Sequence, residues 1–411
     1  MAKQFYKAKY LLPVCRPVIE NAGILVEEGK IIQVGKIEDF LNHEIENAEV
    51  VDFEESIILP GLVNAHTHLE YSALGKLTTK SMIDFLWQTI EQTAGWNENK
   101  IRDSVKTGIK QSLDCGVVAV GDISRWGISP LVISDYTLLA DVALEAFSYD
   151  AKSSEKVFEL LINKIEYIKG KTRDNVRLSI SPHSPYNSDP RLWELMIDYS
   201  TSNDMLIHTH LAESLEEKNW FEFGSSEIDN LHSLINWPKI TPQITSMSPV
   251  EYLSTMQLLS PNLLAAHLCF ASSRDLELLE DQNVAVIVCP RSNLALHNKM
   301  LEYSLLKSLK IKPILATDSI GSTGNINLLE DVRLYSSKNV IGFEELAKLV
   351  TIYPAKALRL DDKIGTLENG KQATFIVFEN VDEPANWFYP TKPSAVYING
   401  EPVVNKVSTK G

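Results

Sequence analysis

Eight short apolar runs recur between residues 62 and 319, and helical patterns separate them. Segments such as EKVFELLINKIEYI space their apolar residues three and four apart, as amphipathic helices do. Eight β/α units predict an α/β protein with a parallel (β/α)8 TIM barrel over residues 57–363, whose active site lies at the carboxyl ends of the strands. A doubly wound open sheet is the alternative, but the sequence lacks the Gly-rich phosphate turn that usually follows its first strand. The runs are LVNAHTH, GVVAVGDIS, TLLADVALEAF, VRLSISPHS, MLIHTHLAE, LLAAHLC, VAVIVCP and KPILATDS.

The two ends of the chain have a different pattern, typical of short strands and tight turns. Gly29 lies between two apolar runs, and the pairs Asn369-Gly370 and Asn399-Gly400 are flanked by β-branched residues. We therefore expect residues 1–56 and 364–411 to form one composite β-sandwich domain, with residues 57–363 as a metal-dependent hydrolase barrel. The irregular stretch 224–248 predicts an insertion or a lid, and Ser248-Pro249 resembles the start of a helix.

Charge and cysteine content limit the partners and the compartment. The 39 basic and 54 acidic residues give a net charge of −15, which argues against a nucleic-acid binder and favours a small-molecule substrate. Four cysteines without a C-x-x-C pair do not suggest a disulfide framework or a zinc ribbon. The N-terminus lacks an apolar signal segment, and no run has the length of a membrane span, so we expect a cytoplasmic protein. The sequence leaves the oligomeric state open, with a homodimer as one option.

Histidines lie at the ends of several predicted strands. The first run ends in His66-Thr67-His68, and alternate residues of a strand face the same side, so both imidazoles can bind one metal ion. The fifth run supplies His210, and His208 competes with it for a ligand role, although a packed histidine inside the barrel is the preferred interpretation for His208. Together these positions predict a metal site at the catalytic face of the barrel.

Three further residues complete the predicted site. Glu213 follows His210 by three positions and can exchange protons with a metal-activated water. The sixth run ends at His267, and the eighth ends at Asp318. The convergence of five histidines and an aspartate on strand ends favours a functional site over chance placement.

Seven motifs spread over nearly the whole chain are similar to those of the amidohydrolase superfamily. Within it, the sequence resembles the aminohydrolase (ATZ/TRZ-like) branch, which holds adenosine-type, methylthioadenosine/S-adenosylhomocysteine, guanine and aminodeoxyfutalosine deaminases together with the chlorohydrolases. The motifs are LPGLVNAHTH, SPHSPY, HLAES, CPRSN, LATDS and the terminal pair GKIIQVG and IGTLENGKQATFIVF.

The resemblance implies a role for each matching residue. The implied ligands of one divalent metal ion are His66, His68, His210 and Asp318. The fourth strand, VRLSISPH, lacks the lysine that bridges two metals in binuclear relatives, so a mononuclear site follows. Zn²⁺ and Fe²⁺ both suit three nitrogens and one carboxylate. Catalysis is implied for Glu213, which protonates the substrate ring, and for His267 and Asp318, which orient the attacking water and accept its proton.

The resemblance also implies an adenine nucleoside substrate whose 6-amino group leaves as ammonia. We expect His183 to face the ribose, Trp87 to line the pocket, and Glu70 to favour 6-amino-6-deoxyfutalosine, an intermediate of the futalosine route to menaquinone. The benzoate of that substrate calls for an arginine, either Arg291 or Arg125. The alternatives are deamination of methylthioadenosine, S-adenosylhomocysteine or adenosine, then dechlorination of a triazine-like ring, and lastly a non-catalytic scaffold.

Overall fold

The computed structural model describes residues 3–224, 226–238 and 246–405. Its strands are β1 (Gln4–Leu11), β2 (Ile19–Glu27), β3 (Lys30–Lys36), β4 (Glu49–Asp52), β5 (Ser56–Pro60), β6 (Leu62–Thr67), β7 (Val117–Ser124), β8 (Leu139–Ala146), β9 (Val176–Pro182), β10 (Ile207–Leu211), β11 (Leu263–His267), β12 (Ala285–Val288), β13 (Ile314–Leu315), β14 (Phe375–Glu379), β15 (Ala395–Ile398) and β16 (Glu401–Asn405).

Most of the helices lie between the barrel strands along the chain. They are α1 (Asn42–Ile45), α2 (Met82–Thr93), α3 (Glu98–Asp114), α4 (Ser129–Ile133), α5 (Ala151–Lys169), α6 (Pro190–Ser202), α7 (Leu215–Phe223), α8 (Ile228–Leu234), α9 (Pro249–Thr255), α10 (Ser273–Asp281), α11 (Pro290–His297), α12 (Tyr303–Ser308), α13 (Ile320–Thr323), α14 (Leu328–Lys338), α15 (Phe343–Lys348) and α16 (Ile352–Ala357). Short 3₁₀ turns occur at Ile37–Asp39, Leu69–Tyr71 and Pro384–Asn386. None of the helices among the described residues combines the length and apolar character needed to cross a membrane.

Strands β6 to β13 form one sheet in which every strand pairs with its neighbours in chain order. The pairings from β8 to β13 are parallel, and a further parallel bridge joins Thr67 to Asp318 and so links the two ends of the sheet. Each of these strands lies within one of the eight predicted apolar runs. The prediction of a (β/α)8 barrel is therefore confirmed.

The remaining strands form a second, mixed sheet drawn from both ends of the chain. Its order is β16-β15-β14-β5-β1-β2-β3, with β4 paired to β1. Two of its hairpins close with two-residue turns at Glu28-Gly29 and Asn399-Gly400, where both residues have positive φ, the conformation that type I′ turns require. A domain built from both chain ends is thus confirmed, and its strands form this single sheet.

Contacts between Cα atoms divide the chain into two units. One unit comprises His66–Ile109 and Val120–Ile326, and it contains every residue predicted for the site. The other comprises Met1–Ala65, Lys110–Ala119 and Asn327–Gly411. Strand β5, which starts at the predicted boundary, pairs with β1 and β14 in the mixed sheet. The domain boundaries at residues 56 and 364 stay a prediction.

The stretch 224–248 contains helix α8 and ends at a helix cap. Ser248 Oγ accepts a hydrogen bond of 3.0 Å from the backbone N–H of Glu251, and Pro249 opens α9, as predicted. Residues 225 and 239–245 lie outside the described residues, so the proposed lid stays a prediction.

Candidate metal and active site

Four predicted ligands meet at the carboxyl ends of the barrel strands. The ligand atoms of His66, His68 and Asp318 lie within 4.8 Å of one another, as do those of His66, His210 and His267. Asp318 Oδ1 is 3.7 Å from His66 Nε2 and 3.3 Å from His68 Nε2. His210 Nε2 lies 3.3 Å from His68 Nε2. Three imidazole nitrogens and one carboxylate oxygen thus point to a common centre. This is the arrangement of a divalent metal site.

The imidazoles of His66 and His210 present free lone pairs to this point. His66 Nε2 is buried and makes no hydrogen bond within the described residues. His210 Nδ1 lies 2.9 Å from the backbone oxygen of His183, to which it donates its hydrogen, so that Nε2 keeps its lone pair. Burial and the neighbouring imidazoles lower the pKa of His66 well below its usual value and that of His210 to about 4, which keeps both neutral. Neutral imidazoles are the form that binds metals.

Asp318 is held in place by hydrogen bonds on its other oxygen. Its Oδ2 accepts hydrogen bonds from the hydroxyl groups of Ser292 at 2.7 Å and Ser322 at 2.9 Å. Burial alone would raise the pKa of Asp318, but the hydrogen bond and charge of His68 lower it well below its usual value. The carboxylate is therefore ionised and oriented, which suits a metal ligand.

Glu213 and His267 lie beside the ligand cluster. His267 Nε2 is 3.8 Å from Glu213 Oε1, and His267 Nδ1 lies 2.8 Å from Asn293 Oδ1, which accepts its hydrogen. Burial alone would raise the pKa of Glu213, but the imidazoles of His267 and His297 outweigh it and lower the pKa to about 2. Glu213 is thus ionised at neutral pH. It can protonate another group only after it has first accepted a proton itself.

His208 does not join the cluster. Its Nε2 lies 3.0 Å from Asp141 Oδ1, and Asp141 Oδ2 accepts a hydrogen bond of 2.9 Å from Ser179. All three side chains are buried on neighbouring barrel strands. The interpretation of His208 as a packed, hydrogen-bonded histidine is confirmed.

His68, His210 and Asp318 line a pocket of about 520 Å³, together with Glu213 and His267. That size falls in the range of small-molecule sites. One face of α2 supplies much of the apolar wall, and aromatic side chains from other elements complete it. The α2 residues of the wall are Met82, Phe85, Leu86, Thr89, Ile90 and Thr93, and the aromatic residues outside α2 are Tyr71, Trp96, Trp126, Phe147 and Trp237.

His183 lines the pocket, whereas Trp87 does not. His183 Nε2 faces Glu145 Oε1 at 3.9 Å, and its ring stacks on Phe147 with the centroids 4.8 Å apart. Trp87 is half-buried on α2, but the pocket-facing side of that helix passes through residues 85, 86, 89 and 90. The assignment of Trp87 to the pocket wall is therefore wrong, and Trp96 and Trp126 occupy that role.

Glu70 does not reach the pocket either. It is fully buried, and its carboxylate accepts hydrogen bonds of 2.7 to 3.0 Å from the loop that follows β7. The donors are the Ser124 hydroxyl and the backbone N–H groups of Trp126, Ile128 and Ser129. Glu70 therefore fixes the loop that carries Trp126, and its expected contact with substrate is corrected.

The pocket contains one of the two candidate arginines. Arg291 bonds the side chain and backbone oxygens of Asn325 at 2.9 and 3.1 Å and is absent from the lining. Arg125 lines the pocket with its guanidinium carbon 4.2 Å from the centroid of the Phe147 ring. Its Nη1 lies 3.9 Å from Glu145 Oε2. The expected place of Arg291 in the pocket is thus corrected, and Arg125 is the candidate arginine that lines it.

Sequence reasoning missed Glu145 and His297. Glu145 lies near the end of the third barrel run, and burial raises its pKa although Arg125 opposes this shift. His297 Nε2 lies 3.3 Å from Glu213 Oε1. A signal for His297 exists in the sequence, because it follows Asn293 by four positions on α11 and therefore shares its helix face.

Comparison with known proteins agrees with this geometry. The chain is 27% identical over 375 residues to an adenosine deaminase of Helicobacter pylori, and the match covers 88% of each chain. It is 26% identical to a 5-methylthioadenosine/S-adenosylhomocysteine deaminase of Bacillus cereus, over 89% of this chain and 82% of the relative.

A solved structure and a family model extend the comparison. The crystal structure of Helicobacter pylori aminofutalosine deaminase in complex with methylthio-coformycin matches with a TM-score of 0.85 and 24% identity, over 98% of this chain and 100% of that one. At this identity the likeness shows the fold. The model of the amidohydrolase family matches residues 57–411, which is most of the sequence. The chain therefore belongs to the amidohydrolase family.

Proposed function

We propose that this protein is a metal-dependent aminohydrolase that removes the 6-amino group of an adenine nucleoside and releases ammonia. The observation that carries the proposal is the meeting of three imidazoles and one carboxylate with Glu213 and His267 beside an aromatic pocket. The family and the deaminases among the relatives support the same reaction class.

His66, His68, His210 and Asp318 would hold the metal ion. A divalent ion such as Zn²⁺ or Fe²⁺ supplies Lewis acidity, which lowers the pKa of water enough for attack at neutral pH. His267 and Asp318 orient the attacking water. Asn293 fixes the tautomer of His267 by accepting its Nδ1 hydrogen, so Nε2 is the atom that faces the site.

The balance of protons assigns a shuttle role to Glu213. Attack at C6 forms a C–O bond and places electron density on N1, which has to be protonated. Because Glu213 starts ionised, it takes a proton from the attacking water and passes it to N1. The remaining proton of the added water then moves to the amino group as the C6–N bond breaks, and the products are ammonia and the hypoxanthine nucleoside.

For the substrate, we propose 6-amino-6-deoxyfutalosine, which places the protein in the futalosine route to menaquinone. Arg125 supports this choice because its guanidinium lies in the pocket and suits a carboxylate. Trp96 and Trp126, whose ring centroids lie 6.3 Å apart, offer flat apolar surfaces to an aryl group. His183 and Glu145 offer hydrogen-bonding groups for the ribose.

The apolar wall formed by α2 also favours a second class of substrate. Phe85, Leu86 and Ile90 line it with apolar surface, which also suits the methylthio group of 5′-methylthioadenosine. We propose that either reaction takes place in the cytoplasm on a free small molecule. The four cysteines are scattered along the sequence without a C-x-x-C pair, which supports a reducing compartment.

The test is the absorbance change from adenine to hypoxanthine, measured on protein loaded with Zn²⁺ or with Fe²⁺. Aminodeoxyfutalosine, 5′-methylthioadenosine, S-adenosylhomocysteine and adenosine are offered in parallel. We expect aminodeoxyfutalosine to have a kcat/KM at least about a hundredfold above the others. A higher value for methylthioadenosine assigns the enzyme to nucleoside salvage, and the absence of turnover on all four refutes adenine nucleoside deamination.

A further inference from the structure

His297 contacts the proton shuttle of the site from outside the pocket. Its Nε2 lies 3.3 Å from Glu213 Oε1, its side chain is only 3% exposed, and it is not part of the pocket lining. A bound nucleoside therefore meets Glu213 and not His297. The imidazole can act on the reaction only through the carboxylate it touches.

The contacts of Glu213 are unequal between its two oxygens. Both His297 Nε2 and His267 Nε2 approach Oε1, at 3.3 and 3.8 Å. The backbone of Glu213 is fixed separately, because its N–H donates a hydrogen bond of 2.8 Å to Glu217 Oε2. With the backbone and Oε1 held, Oε2 is the oxygen that remains to face a substrate.

Helix α11 links His297 to the second catalytic side chain. Asn293 and His297 are four residues apart on this helix, so they lie on the same face. Asn293 accepts the hydrogen of His267 Nδ1, while His297 contacts Glu213. One turn of helix thus contacts both Glu213 and His267, the two side chains that act beside the ligands in the proposed reaction.

We propose that His297 is the positioning residue of Glu213: its Nε2–H holds Oε1 of the carboxylate and thereby directs Oε2 to the substrate ring. The inference rests on the proposed deaminase function. A hydrogen bond from a buried imidazole to a carboxylate belongs to the stronger class of such bonds, and its loss leaves the carboxylate free to rotate away. The cost falls on turnover, because His297 does not touch the nucleoside.

The kinetic test compares two substitutions of His297. His297→Gln retains a donor at a similar distance from the backbone, whereas His297→Leu retains volume without a donor. We expect His297→Leu to lower kcat by about tenfold to a hundredfold with KM changed less than about threefold, and His297→Gln to recover most of that loss. His43→Gln, the same change at an exposed histidine, is the matched control and should leave both constants unaltered.

A double-mutant cycle separates positioning from a general structural effect. In the Glu213→Gln background, His297→Leu should cost less than about twofold, since the group it positions is already disabled. An equal loss in both backgrounds overturns the proposal. So does a variant His297→Leu with wild-type kcat.

An independent arm needs no turnover. In ¹⁵N-histidine-labelled protein, the resonance of His297 Nε2 is identified by its loss in His297→Gln. It should shift in Glu213→Gln and stay in place in Glu216→Gln, a control on α7. If the wild-type protein turns over none of the nucleosides, the proposed function fails while this arm still decides the His297–Glu213 bond. An unshifted resonance in Glu213→Gln overturns the positioning role.

Discussion

Arg125 provides the sharpest test of the proposed substrate. Its guanidinium lies over the Phe147 ring at 4.2 Å and its Nη1 lies 3.9 Å from Glu145 Oε2, so it stays within the pocket but keeps donors for a ligand. We expect Arg125→Leu to weaken selection of a nucleoside that carries a carboxylate, relative to a neutral nucleoside of similar size.

The magnitude follows from the exposure of the side chain. A hydrogen bond between charged groups contributes about 1.5–3 kcal/mol when it is well shielded from solvent. The Arg125 side chain is 43% exposed, and solvent screening reduces the expected value to about 1–2 kcal/mol. This corresponds to a loss of selectivity of about fivefold to thirtyfold.

The assay measures kcat/KM for aminodeoxyfutalosine and for 5′-methylthioadenosine on the same preparations and compares their ratio. Arg291→Leu is the matched control, because Arg291 bonds Asn325 and does not line the pocket. It can lower both values through its neighbour Ser292, but it should leave their ratio within about twofold. A ratio unchanged by Arg125→Leu, or changed equally by Arg291→Leu, refutes the reasoning.

Three further predictions concern the metal site and its surroundings. Glu213→Gln should retain bound metal, measured by elemental analysis, and lose at least about a hundredfold in kcat, because the shuttle is removed while all four ligands stay; full activity would exclude Glu213 from the mechanism. Ser292→Ala removes a hydrogen bond from Asp318 Oδ2 and should weaken zinc binding by about tenfold to a hundredfold in chelator competition, and an unchanged affinity would contradict the orienting role of that hydroxyl. Burial raises the pKa of Glu217 to about 8, so the folded state holds a proton that the unfolded state has lost. The free energy of unfolding should therefore fall between pH 5 and 8 by up to about 1.4 kcal/mol per pH unit relative to Glu217→Gln, and parallel curves in denaturant titrations would argue against a buried acid.

The sequence predicted the barrel, and the placement of the proposed ligands at strand ends, from local patterns, whereas the ligand roles came from the resemblance to the family. Strand ends meet at one edge of a barrel whatever the intervening loops do, so residues at strand ends can be placed without knowing helix orientation. His66, His68, His210 and Asp318 are of this kind. Trp87 is different, because its side chain direction depends on the rotation of α2 about its axis, and apolar residues occur on several sides of that helix.

The predictions for two residues in a loop and at a helix start, Glu70 and Arg291, were wrong for a related reason. Arg291 follows a strand end, but Pro290 starts α11 immediately, and the helix turns Ser292 and Asn293 rather than Arg291 toward the site. Glu70 follows His68 by two positions and lies in a 3₁₀ turn. The loop after β7, which is distant in sequence, donates hydrogen bonds to its carboxylate. Such partners are set by tertiary contacts that no local pattern records.

The pocket draws its chemistry and its apolar wall from different pieces of the chain. The proposed ligands and proton carriers lie at or just after barrel strands, whereas six lining residues belong to α2 between Met82 and Thr93. A substitution on α2 can therefore alter which group is admitted beside the adenine ring without moving a ligand atom. Laboratory selection for new nucleosides should accumulate its changes on this helix, and the same reacting centre can serve a lineage of enzymes that differ mainly in one wall.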